Sequence, residues 1–137
     1  MFNRILVPVD LGHLDTLERA LTAAAAQAKL ADVPVCYVAV TASQPGTVAP
    51  NPEAFAAKLA AFAEAQGTSY GIKAESKTIV DPDPTADLDH RIIGAAEEIG
   101  ADLIVMQSHV PGLKEYIWPS NGGKVASHAP VSVMVVR

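Results

Sequence analysis

The sequence predicts a doubly wound α/β domain, with five parallel strands in the order 3-2-1-4-5 and helices on both faces. Three observations carry this. Short β-branched runs alternate with longer stretches of helical spacing, giving the order β-α-β-α-β-α-β-α-β. The connections between them are short, and right-handed crossovers then leave few topologies. The composition is globular: 50% of the 137 residues are hydrophobic and 18% are charged. A single domain over residues 1–137 is expected, burying roughly two-thirds of the surface of its unfolded chain.

The elements follow in order. Arg4 to Asp10 is a near-continuous apolar run ending on an acid, as suits a strand covered on both faces. Pro8 is its anomaly, because a central strand uses that amide in its ladder. Leu14, Leu17, Leu21, Ala24 and Ala28 lie at helical spacing, with Asp15 and Glu18 in the expected first turn. Val33 to Val40 reads as a second buried strand. Residues 42–52 hold Pro45, Gly46, Pro50 and Pro52 and read as a mobile surface loop. Asn51-Pro52-Glu53 supplies a cap, a proline at the first helical position and an acid. Phe55, Leu59 and Phe62 mark the buried stripe of that second helix.

Gly71 to Val80 alternates like an edge strand, and Asp81-Pro82-Asp83-Pro84 turns the chain. Leu88, Ile92, Ala96 and Ile99 form a third helical stripe that stops at Gly100. Ala101 to Met106 is a fourth strand, followed by a loop, Gln107 to Pro119, with room for a helical turn at Lys114 to Ile117. A last helix is capped by Ser120 and ends before Pro130. Val131 to Val136 is the fifth strand.

Fifteen acids against ten bases give a net charge of −5, which disfavours nucleic acid and anionic membranes as partners. No apolar run reaches the ~18 residues that would span a bilayer, and the opening residues lack a signal-peptide pattern. A cytoplasmic protein is expected. The single cysteine, Cys36, permits no internal disulfide and falls in a core strand. His13, His90 and His128 lack metal-ligand spacing, and His128 suits the helix dipole near its C-terminal end. Asp81, Asp83, Asp87 and Asp89 lack the EF-hand pattern and read as a solvated helix start. Ser108-His109 has no strand–nucleophile–helix elbow around it, so no hydrolase triad, catalytic residue or metal site is assigned.

Ligands of such sheets bind at the carboxyl ends of the strands beside the switch point, here between strands one and four. That rule selects Asp10, the end of strand two near Val40, and residues 106–122. Asp10 has two roles open to it: a ligand to an amine, a sugar hydroxyl or a metal, or a cap on the loop entering helix one. Ser120-Asn121-Gly122-Gly123-Lys124 opens a helix at the crevice, either as a phosphate cradle or as an ordinary capped terminus. His109 is either a ligand contact or a surface group, and Tyr116 and Trp118 are either lid residues or core plugs.

Ile5 to Asp10, Met106-Gln107-Ser108-His109-Val110-Pro111, Tyr116 to Asn121 and Lys124 to Val136 together resemble the universal stress protein family over essentially the whole chain. The likeness is greatest to the small single-domain bacterial branch of F/G type. It implies an adenine nucleotide alpha hydrolase-like fold and a stress-response regulator or sensor. The implied ligand is ATP or AMP (ATP with Mg2+ where the metal accompanies it), with at most very slow hydrolysis. The implied site is Val9, Asp10 and Val40 against the adenine, Met106, Gln107 and Ser108 along the ribose, and Ser120, Asn121 and Gly122 at the phosphates, with Pro8 and Val110 also counted among the nucleotide-binding residues.

Nucleotide-binding members carry G-x2-G-x9-G-[ST] after strand four. Here Gln107, Val110 and Pro119 stand at the three glycines, with eight residues in the last gap, and Ser120 keeps the hydroxyl. Side chains at Gln107 and Val110 would crowd the ligand, and Pro119 lacks an amide and a positive φ. The alternative expectation is therefore a nucleotide-free family member acting through an unknown protein partner. The resemblance also implies a homodimer through strand 131–136, whose open apolar edge points the same way.

Overall fold

Parity along the strands decides the layers. In the computed structural model, which describes residues 1–83, 87–108 and 121–137 (121 and 122 as backbone only), the elements run as follows. They are β1 (Ile5–Pro8), a 3-10 turn (Leu14–Thr16), α1 (Glu18–Ala31), β2 (Val35–Thr41), α2 (Pro52–Tyr70), β3 (Ala74–Val80), α3 (Leu88–Ile99), β4 (Leu103–Gln107), α4 (Asn121–His128) and β5 (Ser132–Val136). The strands form one parallel sheet, β3-β2-β1-β4-β5, as expected. Ile5, Val7, Val9, Tyr37, Ala39, Leu103 and Val105 turn to the layer of α1 and α2. Leu6, Cys36, Val38, Val40, Ile104 and Met106 turn to the layer of α3 and α4. Because both faces are covered, the central strands read as continuous apolar runs.

The ends of the elements explain where the sequence reading shifts. Helix one begins at Glu18, four residues later than its apolar spacing implies. The amides of His13, Thr16 and Leu17 bond to the carbonyls of Asp10, His13 and Leu14, a tighter three-residue pattern that delays the α-helix. Leu14 and Leu17 still pack on the core. In α2 the buried stripe is Phe55, Leu59 and Ala63, while Phe62 is only partly buried and meets Tyr37 edge-on, ring centroids 5.3 Å apart. The Asn51 side chain caps α2 by accepting from the Ala54 amide at 2.7 Å. Gly67 lets α2 lie close to β3: a Cβ there would stand 3.1 Å from the Ile72 carbonyl and 3.2 Å from the Ala74 Cβ. Gly100 ends α3 at φ 72°, in the left-handed region that glycine occupies without strain.

Asp81 corrects the expectation of a solvated acidic turn. It is buried at the end of β3, accepts from the Asp83 amide at 2.9 Å and pairs with Arg91 of α3 at 2.8 Å. The proposed turn at 114–117 and the Ser120 cap lie outside the described residues.

Candidate functional site

Pro8 opens the crevice. The amides of Ile5 and Val9 donate to β2, at the carbonyls of Pro34 and Val38, so alternate amides at Leu6 and position 8 face β4. Pairing between β1 and β4 runs only from Ile5↔Leu103 to Leu6↔Ile104. Proline has no N–H to offer the next rung, so the two strands part there, at the switch point of the sheet. The predicted first strand correspondingly ends at Pro8 and not at Asp10.

Val9 and Asp10, just past β1, and Val40 of β2 line a cleft of about 160 Å³ beside this opening, at the carboxyl ends of β1 and β2; no described residue of β4 lines it. Its roof is the segment read from sequence as a loose surface loop. The Gly46 amide donates to the Ala49 carbonyl, Lys58 of α2 donates to the Val48 carbonyl, and Ala49 is buried with Phe55. Among the described residues the lining contains no basic side chain, and most of it is apolar. A second hollow, lined by Leu11, Leu14, Val48, Lys58 and Phe62, adjoins the same loop from the α2 side.

Asp10 is buried and already partnered. Its Oδ1 accepts from the Gly12 amide at 3.0 Å, and its Oδ2 lies 2.8 Å from Nδ1 of His13. The His13 amide also donates to the Asp10 carbonyl at 3.0 Å. Of the two roles open to Asp10 in the sequence, these bonds are those of the loop cap, and the residue also lines the cleft.

The β4 residues divide by parity. Met106 is buried in the α3/α4 layer. Gln107, the last residue of β4, turns the other way. Its Oε1 accepts from the Ala20 amide in the first turn of α1 at 3.2 Å, and its Nε2 donates to the Val136 carbonyl at 3.1 Å. The Ser108 amide donates to the same carbonyl at 2.6 Å. Val110 and Ser120 lie outside the described residues, as do His109, Tyr116, Trp118 and Pro119; Asn121 and Gly122 are placed only as the opening backbone of α4. Lys124 is exposed on that helix, and its carbonyl bonds Nδ1 of His128 at 2.9 Å, the C-terminal role expected of that histidine.

Sequence reasoning missed three participants. His13 was passed over for want of metal spacing, although Asp-x-x-His at a strand end carries the signal of a carboxylate–imidazole pair. The 42–51 roof and its Lys58 anchor gave no sequence signal beyond their proline and glycine content. Among the described residues no group of three His, Cys, Asp or Glu side chains could hold a metal. Burial pushes the Cys36 thiol up to about 11, so it packs as an inert core group. No helix among the described residues is long and apolar enough to cross a membrane.

Sheet order and switch-point crevice together define an adenine nucleotide alpha hydrolase-like fold. The description of the Universal stress protein family matches residues 1–137, and the chain belongs to that family. It is 28% identical to universal stress protein G of Shigella flexneri over 148 aligned residues, covering 100% of both chains. A universal stress protein from Archaeoglobus fulgidus is 26% identical, with a TM-score of 0.71 over 100% of both chains. A universal stress protein from the same organism in complex with dAMP is 25% identical, with a TM-score of 0.70 over 98% of both.

Proposed function

We propose that this chain is a cytoplasmic stress-response regulator that binds an adenine nucleotide, ATP or AMP, in the β1/β4 crevice and does not turn it over efficiently. The observation that carries the reading is the cleft at the ends of β1 and β2, walled by Val9, Asp10 and Val40 and lying beside the point where β1 and β4 part. It is apolar enough for a purine face and lacks cations, so the base belongs there and the phosphates belong toward α4. The dAMP complex of a relative with the same fold over nearly its whole length supports this choice of ligand. Met106, Gln107 and Ser108 then bound the crevice through their backbone, since the side chains of Met106 and Gln107 are committed elsewhere. Val110, Ser120, Asn121 and Gly122 complete the proposed site, with Mg2+ entering only as a partner of ATP phosphates.

Titration calorimetry of nucleotide-stripped protein tests this, with AMP and with ATP in the presence and absence of magnesium. Micromolar binding is expected. No heat and no thermal shift with either nucleotide would overturn it. One observation favours the second reading, a nucleotide-free module acting through a protein partner: the residue in place of the first motif glycine has become a buried structural bridge at Gln107. In both readings we place a homodimer contact on β5, whose outer edge is unpaired among the described residues.

A further inference from the structure

We infer that residues 42–49 are a gate over the cleft, and that Lys58 is the positioning residue that latches it; this regulation of the proposed site rests on the nucleotide reading above. The cleft exists only while the gate is closed. More than half of its lining residues, from Ala42 through Gln44 to Ala49, belong to that segment, and Val9, Asp10 and Val40 belong to the fixed wall. Lys58 does not itself line the cleft.

The gate is lightly tied. Among the described residues one backbone bond is made inside 42–50, from the Gly46 amide to the Ala49 carbonyl at 3.0 Å. Its other anchors are apolar contact and one side chain. Ala49 is buried with Phe55, and the Lys58 ammonium on α2 donates to the Val48 carbonyl, inside the Gly46–Ala49 turn. Val48 also reaches the loop after β1, its Cγ2 lying 3.7 Å from where a Cβ on Gly12 would stand. Leu11, Thr47 and Val48 line both the cleft and the neighbouring hollow of about 460 Å³, which gives the gate open space to move into. A segment with so few backbone bonds opens locally at small free energy, and one hydrogen bond then shifts the balance measurably. A base in the cleft touches residues 42–49 only in the closed state, so ligand and latch favour the same conformation.

Amide exchange of Gly46, followed by NMR in the ligand-free full chain, reads the latch without any ligand. Lys58→Met keeps most of the apolar stem of an exposed residue and removes the donor. Gly46 exchange should then rise about threefold to tenfold, the range of one hydrogen bond. AMP should slow that exchange in the wild type. Ligand dissociation should quicken by a similar factor in Lys58→Met, for AMP and for uncharged adenosine alike. Adenosine carries no phosphate, so it separates a latch from a charge contact.

Gly46 exchange equal to wild type in Lys58→Met overturns the latch. Faster release of AMP beside unchanged release of adenosine overturns it too, because Lys58 then acts as a phosphate contact. AMP that binds without slowing Gly46 exchange overturns the gate. A wild type that binds neither AMP nor adenosine sinks the nucleotide reading and the ligand half of this inference with it, while Gly46 exchange still decides whether Lys58 holds the segment.

Discussion

Gln107 illustrates how one side chain can serve two elements that each lack a partner. The residue preceding α1, Leu17, offers no side-chain cap, and Ala20 in the first helical turn is a buried residue, 1% exposed. Gln107 Oε1 satisfies the Ala20 amide, and its Nε2 reaches the end of β5. Replacing it with leucine keeps the volume and removes both bonds. A buried donor left unsatisfied costs about 1–3 kcal/mol, so Gln107→Leu should lower the unfolding free energy by that amount, read as a lower urea midpoint with an unchanged slope. Stability equal to wild type would mean that Ala20 finds another acceptor. The position was read from sequence as a ligand contact because family glycines occupy it. Strand parity carried the contrary signal: Leu103, Val105 and Gln107 share a face, and that face belongs to α1 and α2.

The two sheet edges are built differently. β3 carries Glu75 and Lys77, paired with Arg4 at 3.4 Å and Glu98 at 3.0 Å, and such charges discourage a further strand. β5, Ser-Val-Met-Val-Val, has no charge, and its Val135 is 39% exposed. If β5 pairs with a second copy, Val135→Lys should convert a dimer into a monomer in light scattering while the circular dichroism spectrum is retained. A monomeric wild type would remove the proposed contact. At this scale the sequence was most legible. The sheet order and the first three α-helices follow from buried runs and helical spacing, because a strand covered on both faces leaves few alternatives. The shifted boundaries have local causes that apolar spacing does not record: the missing amide of Pro8 and the three-residue hydrogen bonds before Glu18. The cleft was less legible, because its roof depends on Lys58 reaching Val48 across ten residues. Proline and glycine content marks a loop without saying what it covers.

The whole molecule carries titrating groups that bound its stability from both sides. At the acid end, partial burial raises the Asp102 carboxyl, but hydrogen bonds from the backbone of Asn3, Arg4 and Asp102 itself and from the Asn3 side chain outweigh this and hold it below its ordinary value. That contribution is present above the ordinary aspartate range and is lost as pH falls through the lowered value. It pins the chain before β1 to the start of β4, with Asn3 amide distances of 2.9 and 3.0 Å to the carboxylate. At the alkaline end burial is the largest influence on two acids of β2. It raises Cys36 from 9.0 to about 11, with Glu75 adding a smaller push, and it raises Tyr37 as well, whose hydroxyl has no hydrogen-bond partner among the described residues. For an acid whose folded value is raised, the stabilisation is complete below the unfolded value and disappears as pH climbs toward the folded one. The melting temperature should therefore hold from neutral pH to about 9 and then fall toward 11. Cys36→Val removes the thiol and nearly preserves the volume, so it should flatten the first part of that fall and leave the later, tyrosine-dependent part. An unchanged alkaline profile in Cys36→Val would show that the thiol does not govern this limb, and that Tyr37 ionisation or net charge does.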